Sequence, residues 1–246
     1  MSATSAFNLS NSVPCLLLAA GRGERMRPLT DTIPKPLLEV HGKSLLAWHL
    51  EGLAKVGVKQ VVINHAWLGE QIEAALGTGE SFGLRIEYSK EETALETAGG
   101  ICKALSLLKA NDYFLVMNGD VFAPHFPIND LLNRILELRT QQQFLAHLIL
   151  VPNPPQHPHG DFYLDEQIVR DARPATKGIP KLTFSGIGIY HRALFNDLIP
   201  GQSAKLAPLL RKAMADNRVS GENYRGSWHD VGSPERLAEL NKSESL

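Results

Sequence analysis

Glycines and cationic side chains follow the first apolar run of this 246-residue sequence. The run extends from Cys15 to Ala20 and is of the kind that forms a buried parallel strand. The segment from Leu18 to Pro36 reads LAAGRGERMRPLTDTIPKP. Its Gly21 and Gly23 let backbone N–H groups approach an anion closely. The sequence therefore predicts a phosphate-binding loop that holds a nucleotide.

Two other phosphate-binding motifs do not fit this loop. A dinucleotide fingerprint needs a third glycine and an uninterrupted helix, but Met26 stands at the glycine position and three prolines follow by residue 36. The HGKS tetrapeptide at residues 41–44 ends like a P-loop, yet Leu37 stands where the first glycine is required. A plain NAD-binding module and P-loop chemistry are therefore disfavoured.

Two cations of this segment are predicted to bind phosphate. Arg25 lies inside the glycine loop, where a guanidinium can bind two oxygens at once. Lys35 lies between two prolines, whose stiff backbone holds a compact point charge in place. Arg22 and Arg27 share the loop, and the sequence leaves open whether they face solvent or pyrophosphate.

Two aspartates are candidate metal ligands. Asp120 follows the apolar segment YFLVM and an Asn-Gly pair, which suits a carboxylate that binds a hard cation such as Mg²⁺. A loop-capping role is the alternative for a single aspartate at a strand end. Asp230 lies in WHDVG and is either a second metal ligand or a cap before the helix predicted at Pro234.

Other catalytic sets are not supported. His157 and His159 lack a visible third ligand, which disfavours zinc. No serine or cysteine nucleophile has an identifiable base. Cys15 and Cys102 lack metal-ligand spacing and are predicted to be buried free thiols, which fits a reducing, cytoplasmic setting.

Composition is that of an ordinary globular protein, with 43% hydrophobic and 21% charged residues. A net charge of −1 provides no broad basic face, so we expect no nucleic-acid partner. No apolar run approaches a membrane span, so we expect no membrane association. Residues 1–12 contain no charged side chain and are expected to form a flexible extension, with residues 13–246 forming a single domain.

Strand and helix patterns alternate along the chain, which predicts an α/β fold with a doubly wound, mostly parallel, Rossmann-like sheet. In such sheets ligands bind beyond the carboxyl ends of the strands. The loops after Ala20, Ser89, Asn118 and Val151 should therefore share one edge of the sheet. The proline-dense loop at residues 151–158 could form one wall of a pocket there.

Several motifs resemble those of the sugar-1-phosphate nucleotidylyltransferase family. They are the GxGxRMxPLT loop, the PKP tripeptide, and then NGD, SGIGIY and WHDVG in the same order, spanning residues 13–240. Within the family, ETAGG, NHAWLGE and GDFYLDE are most similar to the N-acetylmuramate-1-phosphate uridylyltransferases.

The resemblance implies transfer of a uridylyl group from UTP to N-acetylmuramate-1-phosphate, giving UDP-N-acetylmuramate and pyrophosphate in cytoplasmic peptidoglycan recycling. It implies Mg²⁺ on Asp120 and Asp230 and catalytic roles for Arg25 and Lys35. The sequence leaves open whether the protein is a monomer or a homodimer. A guanylyl- or thymidylyltransferase acting on a hexose-1-phosphate is the alternative. A catalytically silent nucleotide-sugar sensor is a more distant one.

The resemblance also assigns binding residues. We expect backbone groups to read the base, since glycine lets the main chain approach a flat ring. The nucleotide set is Ala19, Ala20, Gly21, Gly23, Glu24, Arg25, Lys35, Thr97, Gly99 and Asn118. The sugar-phosphate set is Asn153, Gly160, Asp161, Ser185 and Gly186.

Overall fold

A computed structural model describes residues 13–109, 112–175 and 178–243. The predicted extension at residues 1–12 lies outside these ranges. The strands are β1 (Cys15–Ala19), β2 (Glu39–Val40), β3 (Lys43–Ser44), β4 (Gln60–His65), β5 (Arg85–Lys90), β6 (Tyr113–Asn118), β7 (Val121–Phe122), β8 (Ala146–Val151), β9 (Phe162–Asp165), β10 (Ile168–Arg170), β11 (Lys181–His191), β12 (Val219–Asn223) and β13 (His229–Asp230). The helices are α1 (Leu45–Lys55), α2 (Gly69–Leu76), α3 (Glu96–Leu108), α4 (Ile128–Gln141), α5 (Leu206–Ala215) and α6 (Pro234–Lys242).

Local sequence signals account for these elements. Ser44 precedes α1, and its side chain accepts a hydrogen bond of 3.2 Å from Ala47 N. Ser233 caps α6 in the same way, with Pro234 in the first turn. These caps occupy backbone donors that a helix start leaves unpaired. The predicted alternation of strands and helices is confirmed.

The central sheet has the order β5-β4-β1-β6-β11-β8-β12-β10-β9. The first four strands are parallel, as are β8 and β12. Strand β11, however, inserts antiparallel between β6 and β8. The α/β class is confirmed, whereas the prediction of a doubly wound, mostly parallel sheet fails beyond β6, where β8 and β12 pair in parallel but the other pairs are antiparallel. Because strand patterns reveal burial but not pairing direction, the insertion could not be predicted.

Helices cover both faces of the sheet. Leu17 of β1 packs in one core with Leu46 and Leu50 of α1. Its neighbour Leu16 packs in the opposite core with Ile101 of α3. Each fully buried leucine contributes about 1.5–3 kcal/mol to the free energy of folding. This two-sided burial holds β1, which precedes the glycine loop, in the centre of the sheet.

The strand directions place the predicted site loops together. Strands β1, β4, β5 and β6 end at the same edge, and so does β8, because β11 runs against both β6 and β8. Strand β11 begins at this edge. A small ribbon of β7 and β13 adds the segment around Asp230. No helix within the described residues is long and apolar enough to cross a membrane.

Candidate active site

A cavity of about 410 Å³ opens at the carboxyl ends of β1, β4, β5 and β6. Seven residues of the predicted site line it, namely Ala19, Ala20, Gly21, Lys35, Thr97, Asn118 and Asp120. The cavity is also lined by Leu18, Pro36, Asn64, Glu91, Ala94 and Glu96. Backbone of the glycine loop, a buried lysine and a carboxylate therefore share one cavity.

The buried lysine of the PKP tripeptide forms an ion pair inside this cavity. Lys35 is 8% exposed, and its Nζ donates a hydrogen bond to Asp120 Oδ2. Gly23 has a φ of 69°, and a Cβ at this position would lie 3.1 Å from Lys35 Cβ. The glycine thus provides both a left-handed turn and the space for the lysine stem.

Asp120 and Asp230 are brought together by the ribbon of β7 and β13. Val231 N donates to Asp120 O over 3.1 Å, and Asp230 pairs with Val121 in the ladder. Arg236 Nη1 donates to Asp230 Oδ2 at 2.9 Å and to Asp230 O at 2.8 Å. Each carboxylate is therefore neutralised by a cation, and Asp120 Oδ1 and Asp230 Oδ1 stay outside these hydrogen bonds.

A buried imidazole lies close to the same segment. Burial lowers the pKa of His49 to about 4, against the opposing influence of the Val121 backbone and the Asp120 carboxylate. The ring is consequently neutral at physiological pH and adds no positive charge next to Asp120.

The arginines of the glycine loop divide into two groups. Arg22 stacks on Trp67 at 3.6 Å from the ring centroid and donates to Thr30 O at 2.8 Å. Arg27 Nε lies 2.8 Å from Asp31 Oδ1. Arg25 is exposed and has no hydrogen bond or ion pair with any residue the structure describes. The loop therefore uses Arg22 and Arg27 internally and leaves the Arg25 guanidinium free to meet a ligand.

Glu24 also belongs to the internal contacts of this loop. It is exposed, and its carboxylate lies 3.7 Å from Arg22 and 3.8 Å from Arg27. It does not line the cavity, although it was predicted to bind the nucleotide.

A polar pair that sequence reasoning missed forms one end of the cavity. Asn64 and Glu91 are each 3% exposed. Asn64 Oδ1 accepts from Ala19 N at 2.9 Å, and Asn64 Nδ2 donates to Glu91 Oε1 at 2.7 Å. Glu91 Oε2 accepts from Leu95 N at 2.9 Å. The available signal was a polar residue near the end of the apolar strand β4 and another directly after β5.

The glycines of ETAGG have structural roles. Gly99 N donates to Ala204 O at 3.1 Å, and a Cβ on Gly99 would lie 2.4 Å from Gln202 O. A Cβ on Gly100 would lie 2.7 Å from the side chains of both Asn64 and Glu91. Thr97 lines the cavity, whereas Gly99 packs against the loop before α5.

Three residues that were predicted to bind the sugar phosphate instead make contacts within the protein, in the 153–161 loop and at the start of β11. Asn153 Nδ2 donates to Lys181 O at 3.0 Å. Asp161 Oδ2 accepts from Phe184 N at 2.8 Å. Gly160 has a φ of 60°, and a Cβ there would lie 2.6 Å from Asn153 Oδ1. These contacts hold the proline-dense loop against the start of β11, so that the loop keeps a defined shape beside the site.

The SGIGIY motif meets NGD at the same edge. A Cβ on Gly186 would lie 2.6 Å from Asn118 Nδ2, and Gly186 has a φ of 80°. Ser185 is buried, and its carbonyl accepts from Trp228 Nε1 at 3.0 Å. The register of β11 shifts between Phe184 and Gly188. This irregularity brings Ser185 and Gly186 next to the end of β6.

No cluster of three or more His, Cys, Asp or Glu side chains suited to a metal occurs within residues 13–109, 112–175 and 178–243. A divalent cation at Asp120 and Asp230 would therefore need further oxygen ligands, which Mg²⁺ commonly takes from substrate phosphates and water.

Comparisons with known proteins agree with this geometry. The family model described as nucleotidyl transferase matches residues 15–245. The N-acetylmuramate alpha-1-phosphate uridylyltransferase of Neisseria meningitidis serogroup B is 51% identical over 232 residues, covering 91% of this chain and 95% of the relative. The Caulobacter vibrioides protein of that name is 32% identical over 226 residues, covering 89% of this chain and 92% of the relative.

A solved structure supports the fold assignment. It is a Bacillus anthracis protein described as a glucose-1-phosphate thymidylyltransferase in complex with a sucrose. It matches with a TM-score of 0.77 and 20% identity, covering 93% of this chain and 94% of the other. The two chains therefore have the same fold.

Proposed function

This chain belongs to the nucleotidyl transferase family, and we propose that it forms UDP-N-acetylmuramate from UTP and N-acetylmuramate-1-phosphate. A phosphate oxygen of the sugar phosphate attacks the α-phosphorus of UTP. The bond from the α-phosphorus to its bridging oxygen breaks, and pyrophosphate leaves.

One observation carries this chemistry: Lys35, Asp120 and the backbone of the glycine loop line the same cavity. The nucleophile is already an anion at neutral pH, so no general base is required. The barrier lies in bringing two anions into line and in stabilising charge on the leaving group. Positioned cations address both needs.

Lys35 and Arg25 are the residues that we assign to these charges. Lys35 is buried at the cavity wall, where a positive charge interacts strongly with phosphate. Arg25 is exposed and unpaired within the described part of the chain, and it would support the leaving pyrophosphate. Each such contact contributes roughly 3 kcal/mol to lowering the barrier, about a hundredfold in rate.

The carboxylates of Asp120 and Asp230 suit Mg²⁺ as ligands. Both are half-buried carboxylates at one ribbon, and each has an oxygen that accepts no hydrogen bond from the residues that the structure describes. Hard carboxylate oxygens are ligands that Mg²⁺ prefers. When bound, the ion would neutralise phosphate charge and bridge it to the protein.

Main-chain groups are proposed to bind the base. Ala20 and Gly21 line the cavity beside the end of β1, and Thr97 lines it from the start of α3. The acceptor sugar and its phosphate would contact the 153–161 loop together with Ser185 and Gly186. Asn153 and Asp161 would act there mainly by shaping the loop, because their side chains already bind the protein.

The two relatives support the choice of substrates, since both are named for that reaction. Each aligns with about nine-tenths of this chain. On this basis we place the reaction in cytoplasmic recycling of peptidoglycan sugars. The two buried free cysteines are compatible with that compartment.

The test is pyrophosphate release with Mg²⁺ from UTP, dTTP and GTP, each paired with the 1-phosphates of N-acetylmuramate, N-acetylglucosamine, glucose and mannose. We expect selective turnover of UTP with N-acetylmuramate-1-phosphate, and its loss in Asp120→Asn. Turnover of another pair would keep the mechanism and overturn the substrate assignment. Nucleotide binding without any turnover would instead support a silent sensor.

A further inference from the structure

The residue that begins α3 has a backbone conformation that disfavours most side chains. Glu96 has a φ of 60°, in the left-handed region where a Cβ is crowded. It is exposed, and it lines the cavity. Glycine would adopt this conformation without strain. Glu96 therefore places a negative charge, at a cost in backbone strain, in a cavity proposed to bind a polyanion.

The other carboxylates of the cavity already have donors. Glu91 accepts from Asn64 and Leu95, and Asp120 accepts from Lys35. Glu96 has no hydrogen bond or ion pair with the residues that the structure describes. Near a bound triphosphate, an unpaired carboxylate repels the ligand unless it accepts hydrogen bonds from it.

The order of elements indicates which part of a nucleotide Glu96 meets. Lys35 and Asp120 lie at the end of β6, whereas Asn64 and Glu91 lie at the ends of β4 and β5, with β1 between them. Phosphates belong near Lys35, and the base belongs near Ala20, Gly21 and Thr97, whose main-chain groups are proposed to bind it. The ribose joins the base to the phosphates, so it passes the part of the cavity wall beside Thr97, where Glu96 also lies.

We propose that Glu96 accepts hydrogen bonds from the ribose hydroxyls of the bound nucleotide and thereby selects ribonucleotides over 2′-deoxyribonucleotides. The inference rests on the proposed function, because it assumes that a nucleoside triphosphate fills this cavity. A carboxylate can accept two O–H groups at once, and hydrogen bonds to a charged acceptor are stronger than neutral ones.

The test compares UTP with dUTP in the full-length enzyme and in two variants. We expect wild type to favour UTP by about 10- to 100-fold in kcat/KM. Glu96→Gly should reduce that ratio by about tenfold, and Glu96→Gln should reduce it partway. Glu96→Gly should also raise Tm by roughly 2 °C, since it relieves backbone strain. A gain in stability with a loss of sugar selectivity distinguishes a binding role from a structural one.

Two controls match these changes. Glu92→Gln removes an exposed carboxylate from the same segment outside the cavity lining, and it should keep the wild-type ratio. Lys109→Gly relieves a φ of 50° at the other end of α3, and it should raise Tm without changing the ratio.

Two results would overturn the inference: a wild-type enzyme that turns over UTP and dUTP equally, or Glu96 variants that keep the wild-type ratio. An absence of turnover with UTP would overturn the proposed function instead. Calorimetric titration with UTP and dUTP, without a sugar phosphate, would then still test Glu96, and equal affinities would refute its role.

Discussion

Lys35 and Asp120 form an ion pair across the candidate active site, joining the PKP tripeptide to the NGD motif. The cation predicted to bind phosphate and the carboxylate predicted to bind metal therefore neutralise each other. A substrate phosphate would offer Lys35 a negative partner in place of Asp120, and Mg²⁺ would offer Asp120 a positive partner in place of Lys35. The pair can therefore separate without leaving a buried charge unpaired.

Replacing the buried lysine should abolish most activity. Lys35→Met removes a positive charge at the cavity wall, and we expect kcat/KM for pyrophosphate release to fall at least about a hundredfold, or roughly 3 kcal/mol. Lys43→Met is the matched control, because Lys43 also pairs with a carboxylate, that of Glu51, but outside the cavity. A Lys35→Met enzyme with near-normal turnover would contradict the assignment.

Replacing the second aspartate should weaken the response to metal. Asp230→Asn removes the charge of a proposed Mg²⁺ ligand, so we expect the Mg²⁺ concentration for half-maximal activity to rise about tenfold or more. A Mg²⁺ titration of pyrophosphate release measures this. Asp197→Asn, which breaks an exposed pair with Lys212, should leave the titration unchanged. Superimposable curves for wild type and Asp230→Asn would exclude Asp230 as a ligand.

The polar pair at the end of the cavity should contribute to stability. Glu91→Ala leaves Asn64 Nδ2 and Leu95 N without their acceptor, and we expect a loss of about 2–4 kcal/mol in the free energy of unfolding. Urea unfolding provides the measurement. Glu87→Ala, in the strand β5 that precedes Glu91, removes an acceptor from Gln60 and should have an effect below about 1 kcal/mol. Equal losses for the two variants would argue against a special role for the buried pair.

The contact of Gly186 with Asn118 can be separated from backbone strain. Gly201 has a φ of 87° and open space around its Cβ position, so Gly201→Ala measures strain alone, at about 1–2 kcal/mol. Gly186→Ala adds a clash with the Asn118 amide, and we expect a further loss of about 1–3 kcal/mol together with lower turnover. Similar stability and full activity in both variants would refute this account of the SGIGIY glycine.

The buried thiols should be unreactive in the folded protein. Burial raises the pKa of Cys15 to about 12, and burial also raises the pKa of Cys102. At pH 8 roughly one Cys15 in ten thousand is a thiolate, so reaction with Ellman's reagent should be slow before unfolding and rapid in urea. Fast modification of both thiols in the native state would contradict their burial.

The raised pKa of Cys15 also has a consequence for stability. Above pH 9 the unfolded chain loses the thiol proton while the folded chain keeps it. The contribution of the Cys15 thiol to the free energy of unfolding is therefore complete below pH 9 and declines as pH rises toward 12. Urea unfolding at several pH values measures this effect. In Cys15→Ala the free energy of unfolding should fall less steeply with pH over that range.

Local signals in the sequence determined most of the elements and the ends of the strands. The apolar run before Gly21, the serine before α1 and the proline that begins α6 each act through neighbouring residues. Lys35 and Asp120 are candidates from their own motifs, because Lys35 lies between two prolines and Asp120 follows a strand end, whereas Asp230 is a candidate mainly through the family resemblance. Their roles stay predictions.

Tertiary structure alone decided how these parts pair and which polar groups remain available. It placed β11 antiparallel beside β6, coupled Asn64 to Glu91, and left Glu96 without a partner among the described residues. It also engaged Asn153 and Asp161 within their own loop. Strand direction and hydrogen-bond satisfaction depend on groups distant in the chain, and a linear pattern of residue types does not contain those distances.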